Sequence, residues 1–143
     1  MVLNGFTDGA ARGNPGPAAY AYILADDGGH VVGSDAGYLG WATNNEAEYQ
    51  AVITMLSRAR TVTGGPVRVH SDSELVIRQL TGVYQVRKSH LKALFNQVKT
   101  LEEHFERVEY VAVPREHPMI RRADEMCNEV LDREAGNQQA PPG

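Results

Sequence analysis

Apolar residues change their spacing along this chain, and each change marks a new element. Residues 2–8 form a largely apolar run that closes on Asp8, as a strand does. Residues 18–25 alternate tyrosine with small apolar side chains, and residues 30–39 carry the pairs Val31-Val32 and Tyr38-Leu39. Asp26-Asp27-Gly28-Gly29 between these runs is a hairpin signal, because Asp and Gly tolerate the backbone angles of a tight turn. The first three segments therefore predict an antiparallel meander. Across residues 44–60 the period becomes helical, with Ala47, Val52, Met55, Leu56 and Ala59 apolar. Gly64-Gly65-Pro66 ends that connection, and residues 67–71 read as a strand that joins the sheet by a parallel crossover. Residues 73–80 predict a short helix. Residues 89–105 predict a longer one, buried along Leu91, Leu94, Phe95, Val98 and Leu101. A fifth strand over 108–113 stops at Pro114, a loop spans 115–120, and a last helix runs from 121 to about 134.

The order βββαβααβα predicts an α/β domain with a five-stranded mixed sheet, three antiparallel strands and then parallel crossovers, flanked by about four helices. Its extent is residues 1–135. Residues 136–143 have almost nothing to bury and predict a disordered tail. At 143 residues the chain suits one domain with one core, and 42% hydrophobic residues exclude wholesale disorder. No apolar run approaches the ~18 residues of a membrane helix, and no basic-then-apolar leader opens the chain. Cys127 is the one cysteine and cannot form an internal disulfide, which fits a reducing compartment, the cytoplasm. It reads as a small buried position in the last helix.

Four short motifs carry the candidate chemistry: Phe6-Thr7-Asp8-Gly9 with Gly13-Asn14-Pro15-Gly16; Thr43-Asn44-Asn45-Glu46-Ala47-Glu48; His70-Ser71-Asp72-Ser73; and Ala123-Asp124-Glu125. They fall on different elements, at strand ends or helix starts. Carboxylates gathered at one point repel unless divalent cations neutralise them, so the set points to a hard-metal site for phosphoryl chemistry. Each also has a simpler reading. Asp8 suits a turn just outside the sheet. Asp72 suits a helix cap. Asp124, in the first turn of the predicted last helix, suits the helix dipole. Two glutamates compete on the first helix, and geometry separates them. Thr43-x-x-Glu46 is a capping box that occupies Glu46. Glu48 shares a face with Val52 and Met55, about 200° round the helix from Glu46.

Asp8, Glu48, Asp72 and Asp124, with the glycine-rich turn and the Asn44-Asn45 pair, resemble the type 1 ribonuclease H family of RNA–DNA hybrid nucleases, from about Phe6 to Leu131. The resemblance implies the ribonuclease H-like fold. It also implies endonucleolytic hydrolysis of the RNA strand to 5′-phosphate and 3′-hydroxyl ends, with two Mg²⁺ or Mn²⁺ ions held by those four carboxylates. Its expected partner is the RNA–DNA hybrid, and its expected state is a monomer without membrane attachment. Substrate contacts are implied for Asn14, Thr43, Asn44, Asn45 and Lys88. Asn14 and Asn44 are expected at ribose 2′-hydroxyls, Thr43 in a phosphate pocket on the DNA strand, and Lys88 where relatives often place an asparagine. His117, the only histidine between Pro114 and Asp124, stands where some members carry a mobile catalytic histidine, and Arg115 is its rival.

The net charge of −4 is unusual for a nucleic-acid binder, but an acidic metal site subtracts from the total. Basic residues gather at Arg87, Lys88, His90 and Lys92, and at Arg115, Arg121 and Arg122. The chain departs from the family at Trp41, where an arginine is common, and at Ile120, where an asparagine is common. It also lacks a basic protrusion after the second helix, which predicts weak, salt-sensitive non-specific affinity. The alternatives are a hybrid-binding module without turnover, another two-metal nuclease of the same fold, and a domain excised from a reverse transcriptase. Met1 and the complete helix set favour a free-standing protein.

Overall fold

The computed structural model describes residues 1–138. Its elements are β1 (Leu3–Ala11), β2 (Gly16–Ala25), β3 (Val31–Ala42), α1 (Asn44–Ala59), β4 (Pro66–Ser71), α2 (Glu74–Leu80), α3 (Ser89–Glu102), β5 (Arg107–Ala112) and α4 (Pro118–Gln138). The five strands form one sheet in the order β3-β2-β1-β4-β5. β1, β2 and β3 pair antiparallel, and β4 pairs parallel with both β1 and β5. The predicted meander and crossovers are therefore present.

Alternation along the strands builds a core on each face. Leu3, Tyr22, Leu24, Val67 and Val69 face α1, α2 and α3, where they pack on Tyr49, Val52, Met55, Leu56, Val76 and Val98. Ala19, Ala21 and Ile23 face α4 and pack on Ala123, Cys127, Val130 and Leu131. The small side chains on that second face let α4 lie close to the sheet, and the Cys127 thiol donates weakly to the carbonyls of Asp8 (3.5 Å) and Ala19 (3.8 Å). On the first face, α1 presses on the backbone of β1. A Cβ at Gly9 would come within 2.3 Å of the Ala47 carbonyl carbon, so only glycine permits this approach. Among the described residues, no helix is long and apolar enough to cross a membrane.

The last helix departs from its predicted span at both ends. It begins at Pro118, three residues earlier than expected. Proline lacks an N–H and suits a first helical position, where that donor would be orphaned. His117 completes the start: its ring Nδ1 accepts the Met119 N–H at 3.2 Å, and its carbonyl accepts the Arg121 N–H at 2.9 Å. Ile120 anchors this first turn and is buried. Asp124 consequently stands in the second turn, beyond the reach of a simple dipole role. At the other end, residues 136–138, expected in the tail, continue the helix. The remainder of that tail, residues 139–143, lies outside the described residues. In addition, α3 stops at Glu102 rather than 105, and Phe105 is buried in the turn that follows.

Candidate active site

The parallel pairing of β1 with β4 decides where the carboxylates meet. Its register ends at Phe6 opposite His70, so Asp8, still within β1, and Asp72, just past the end of β4, lie two residues further on along neighbouring interior strands. Asp8 is only 5% exposed, and its Oδ2 is buried without a hydrogen-bond partner. Asp72 is not needed as a helix cap, because Ser73 caps α2 with its hydroxyl on the Val76 N–H at 3.4 Å.

The start of α1 assigns its two glutamates to different tasks. Thr43 Oγ1 accepts the Glu46 N–H at 3.1 Å, and Glu46 Oε1 accepts the Thr43 N–H at 2.9 Å. This reciprocal box consumes Glu46. Two residues on, about 200° round the helix, Glu48 is buried against the sheet. Its Oε1 accepts the Gly9 N–H at 3.0 Å and its Oε2 accepts the Ser71 hydroxyl at 3.4 Å. Ser71, within the motif that ends the fourth strand, holds Glu48; the alternation Val67, Val69, Ser71 buries all three.

One carboxylate oxygen from each of Asp8, Glu48 and Asp72 lies within 4.8 Å of the others. Burial, followed by the charges of Asp72 and Asp124, pushes the Asp8 carboxyl up to about 8. Burial and the neighbouring Asp8 hold Glu48 well above the usual carboxylate range, against the pull of the Gly9 N–H. Asp72 is raised mainly by burial, while the Arg115 guanidinium draws it back. Three acids that resist ionisation side by side, one with a buried oxygen left unbonded, make a site that a divalent cation fits. Asp124 borders this group from the exposed side of α4, where the Asn128 amide donates to its carbonyl at 3.1 Å and its Oδ2 at 3.4 Å.

These four acids line one cleft of about 630 Å³, together with Asn44, Asn45, Arg115, Glu116 and Arg121. Of the basic residues near Asp124, Arg115 and Arg121 face the cleft. Arg122 instead bonds Glu125 at 3.2 Å and Glu129 at 3.3 Å on the outer surface of α4. Glu116 and Arg121 entered neither the motif reading nor the resemblance as individual site residues.

Asn14 and Asn44 form a clasp. Asn44 Oδ1 accepts the Ala11 N–H at 2.9 Å, and Asn14 Oδ1 accepts the Asn44 N–H at 3.0 Å. Both amide oxygens are thus turned to protein backbone, which leaves the NH₂ groups as donors. Arg12 ties the same turn to α4 through Asp132 at 2.6 Å.

Four expected residues, Asn14, Thr43, Lys88 and His117, do not line the cleft. His117 caps α4 and stacks on Phe6 with ring centroids 5.2 Å apart, while Phe6 stacks on His70 at 4.5 Å. Its Nδ1 is engaged in helix geometry, and Arg115 lines the cleft. Lys88 is exposed at the N-cap of α3. Thr43 acts first as a helix cap.

Comparison with known proteins bears on this arrangement. A family model described as reverse transcriptase-like matches residues 6–130. The chain is 36% identical over 130 residues to Ribonuclease HI of Halobacterium salinarum, covering 91% of this chain and 64% of that protein. It is 31% identical over 138 residues to Ribonuclease H of Tropheryma whipplei, covering 88% of this chain and 82% of the relative. Among solved structures, LC11-RNase H1 in complex with an RNA/DNA hybrid is 36% identical with a TM-score of 0.87, over 93% of this chain and 99% of that one. The chain spans less than two thirds of the Halobacterium relative it matches.

Proposed function

Because the chain belongs to the type 1 ribonuclease H family, we propose that it is a metal-dependent endonuclease that hydrolyses the RNA strand of RNA–DNA hybrids, leaving 5′-phosphate and 3′-hydroxyl ends. The observation that carries this reading is the buried group of Asp8, Glu48 and Asp72, with an unbonded Asp8 oxygen, opening into the cleft that Asn44 and Asn45 line. Two Mg²⁺ or Mn²⁺ ions suit this all-oxygen donor set, with Asp8, Glu48, Asp72 and Asp124 as ligands. Such ions supply Lewis-acid activation of water and neutralise charge on the phosphate undergoing in-line displacement.

The protein's own residues supply position and charge. The Gly9 N–H and the Ser71 hydroxyl hold the Glu48 carboxylate in one orientation. The NH₂ groups of Asn14 and Asn44 donate to ribose 2′-hydroxyl oxygens, which is how the RNA strand is told from DNA. Asn45 lines the same path. Arg115 and Arg121 draw the RNA phosphates against the acidic wall. Thr43, still free to donate its hydroxyl proton, and the exposed Lys88 meet phosphates further along the duplex. His117 supports α4 and has no part in the chemistry. A monomer in the cytoplasm suits a chain whose single thiol is buried and whose candidate site is assembled from its own strands and helices.

The test is incubation with labelled RNA–DNA hybrid, double-stranded RNA and double-stranded DNA, with Mg²⁺, with Mn²⁺ and with chelator. Cleavage confined to the hybrid RNA strand and abolished by chelator is expected. Cleavage of duplex DNA, or hybrid bound without product, overturns the reading.

A further inference from the structure

The chain's single tryptophan, Trp41, is 73% exposed. It stands on β3 opposite Pro17, two residues before the Thr43 cap and three before Asn44. Its display is built into the backbone. The β2–β3 register shifts at Ala18/Ala19, so that Ala19 faces Tyr38 while Ala18 faces Gly40, and Leu39 is the extra residue of a bulge. Gly40 then takes φ 75°, a conformation other residues avoid. A bulge of this kind re-aims the side chain that follows it. Pairing resumes at once, Trp41 with Pro17 and Ala42 with Gly16, so the indole is presented on a fixed frame.

We propose that Trp41 is a substrate-binding residue whose indole packs against a deoxyribose of the DNA strand of the bound hybrid. This rests on the functional reading above and adds a strand-specific contact to it. In a duplex the base faces are already stacked on one another, so an exposed indole three residues from Asn44, which lines the cleft, meets sugar and phosphate. Phosphate favours cations and multiple donors, and the indole offers one N–H. A ribose would press its 2′-hydroxyl on an apolar surface and lose hydration there, whereas deoxyribose presents C–H groups. The amide donors of Asn14 and Asn44, bonded to each other's segments within a few residues of Trp41, take the opposite strand's hydroxyls. Discrimination then has two halves: donors for the strand that carries 2′-hydroxyls, and an apolar plate for the strand that lacks them.

With one tryptophan in the chain, emission from the intact protein reports on Trp41 alone. Wild-type protein is titrated with unlabelled hybrid in the presence of chelator at low ionic strength, and affinity is read in parallel by anisotropy of a labelled hybrid. The emission is expected to shift as the hybrid binds. Trp41→Ala is expected to weaken hybrid binding roughly 3- to 10-fold by loss of apolar burial, Trp41→Phe to recover part of it, and both to leave the salt slope and the melting temperature unchanged. Affinity for double-stranded RNA should not change in either variant. Hybrid bound with unmoved emission and unchanged Trp41→Ala affinity overturns the contact while the nuclease reading stands. Equal weakening toward hybrid and double-stranded RNA overturns the deoxyribose assignment. Failure of the wild type to bind hybrid both with chelator and with Ca²⁺ in place of chelator overturns both.

Discussion

Two regions of the molecule hold sheltered carboxylates, and they treat them in opposite ways. Between α3 and β5, Glu102 accepts the Tyr110 hydroxyl and pairs with Lys99 at 3.2 Å, while Lys99 also donates to the Leu80 carbonyl at 2.7 Å. Its charge is answered by protein. Where α1 meets β1 and β4, Asp8 and Glu48 are more deeply buried, yet their strongest electrostatic neighbours are other acids. One region stabilises the fold with its carboxylate. The other stores repulsion and leaves neutralisation to ions from solution, which marks it as a site for chemistry.

The largest effects should come from exchanging these roles. Asp8→Asn and Asp72→Asn each remove a ligand and are expected to lower hybrid cleavage on the order of 10³-fold. Without metal, their melting temperatures should equal or exceed that of the wild type, because one repelling charge is gone. Glu102→Ala should do the reverse, keeping activity and losing about 1–3 kcal/mol of stability. A marked fall in metal-free melting temperature for both aspartate variants would mean that those side chains hold the fold.

The comparison sharpens within one helix. Glu48→Gln should lose nearly as much activity as Asp8→Asn. Glu46→Gln should keep most of it, since glutamine can still accept the Thr43 N–H of the capping box. Cleavage rates under saturating Mg²⁺ decide this, and comparable losses would count against the difference in facing.

A smaller loss is expected at the clasp. Asn44→Asp preserves the acceptor that holds the Ala11 N–H but deletes the NH₂ donor. It should cut hybrid cleavage roughly 5- to 150-fold, the effect of about 1–3 kcal/mol at an unmet hydroxyl, with little change in melting temperature. Unchanged cleavage would reduce Asn44 to a fastening for the glycine-rich turn.

The stored repulsion also has a pH signature. Asp8 keeps its proton in the folded protein up to about 8, whereas its ordinary value is 3.8. Above the ordinary value the unfolded chain sheds the proton while the folded one still binds it, so metal-free stability should fall as pH rises from about 4 to about 8. Thermal melts across that window should show the decline, and Mg²⁺ or Asp8→Asn should flatten it. A profile that rises through the window would contradict the assignment.

The smallest change is predicted for His117→Ala. The loss of a ring that caps α4 should cost about 0.5–2 kcal/mol of stability and leave the chemical step near wild type. A single-turnover rate depressed as strongly as in Glu48→Gln would return the histidine to the mechanism.

Particular residues show how far local pattern reaches. The capping box, the Glu46–Glu48 division and the stripe of α3 were all legible, because each depends on residues within a turn or two of one another. The start of α4 was not. Pro118 beside charged neighbours reads as loop until His117 is seen to supply the cap and Ile120 to be buried, and both depend on where the helix lies. His117 was expected at the reaction by resemblance in position. The structure places its Nδ1 on the start of α4 and its ring on Phe6.

By itself the sequence determined most of the elements and their order and singled out the candidate acids, since periodicity, caps and turns act over a few residues. Tertiary structure alone decided that β4 lies parallel beside β1, that Gly9 admits α1 close enough to bond Glu48, and that Arg115 rather than His117 borders the acids. Those outcomes join residues dozens of positions apart. They depend on crossover handedness, on the packing of α1 and α4 against opposite faces of the sheet, and on the burial that makes like charges wait for a cation.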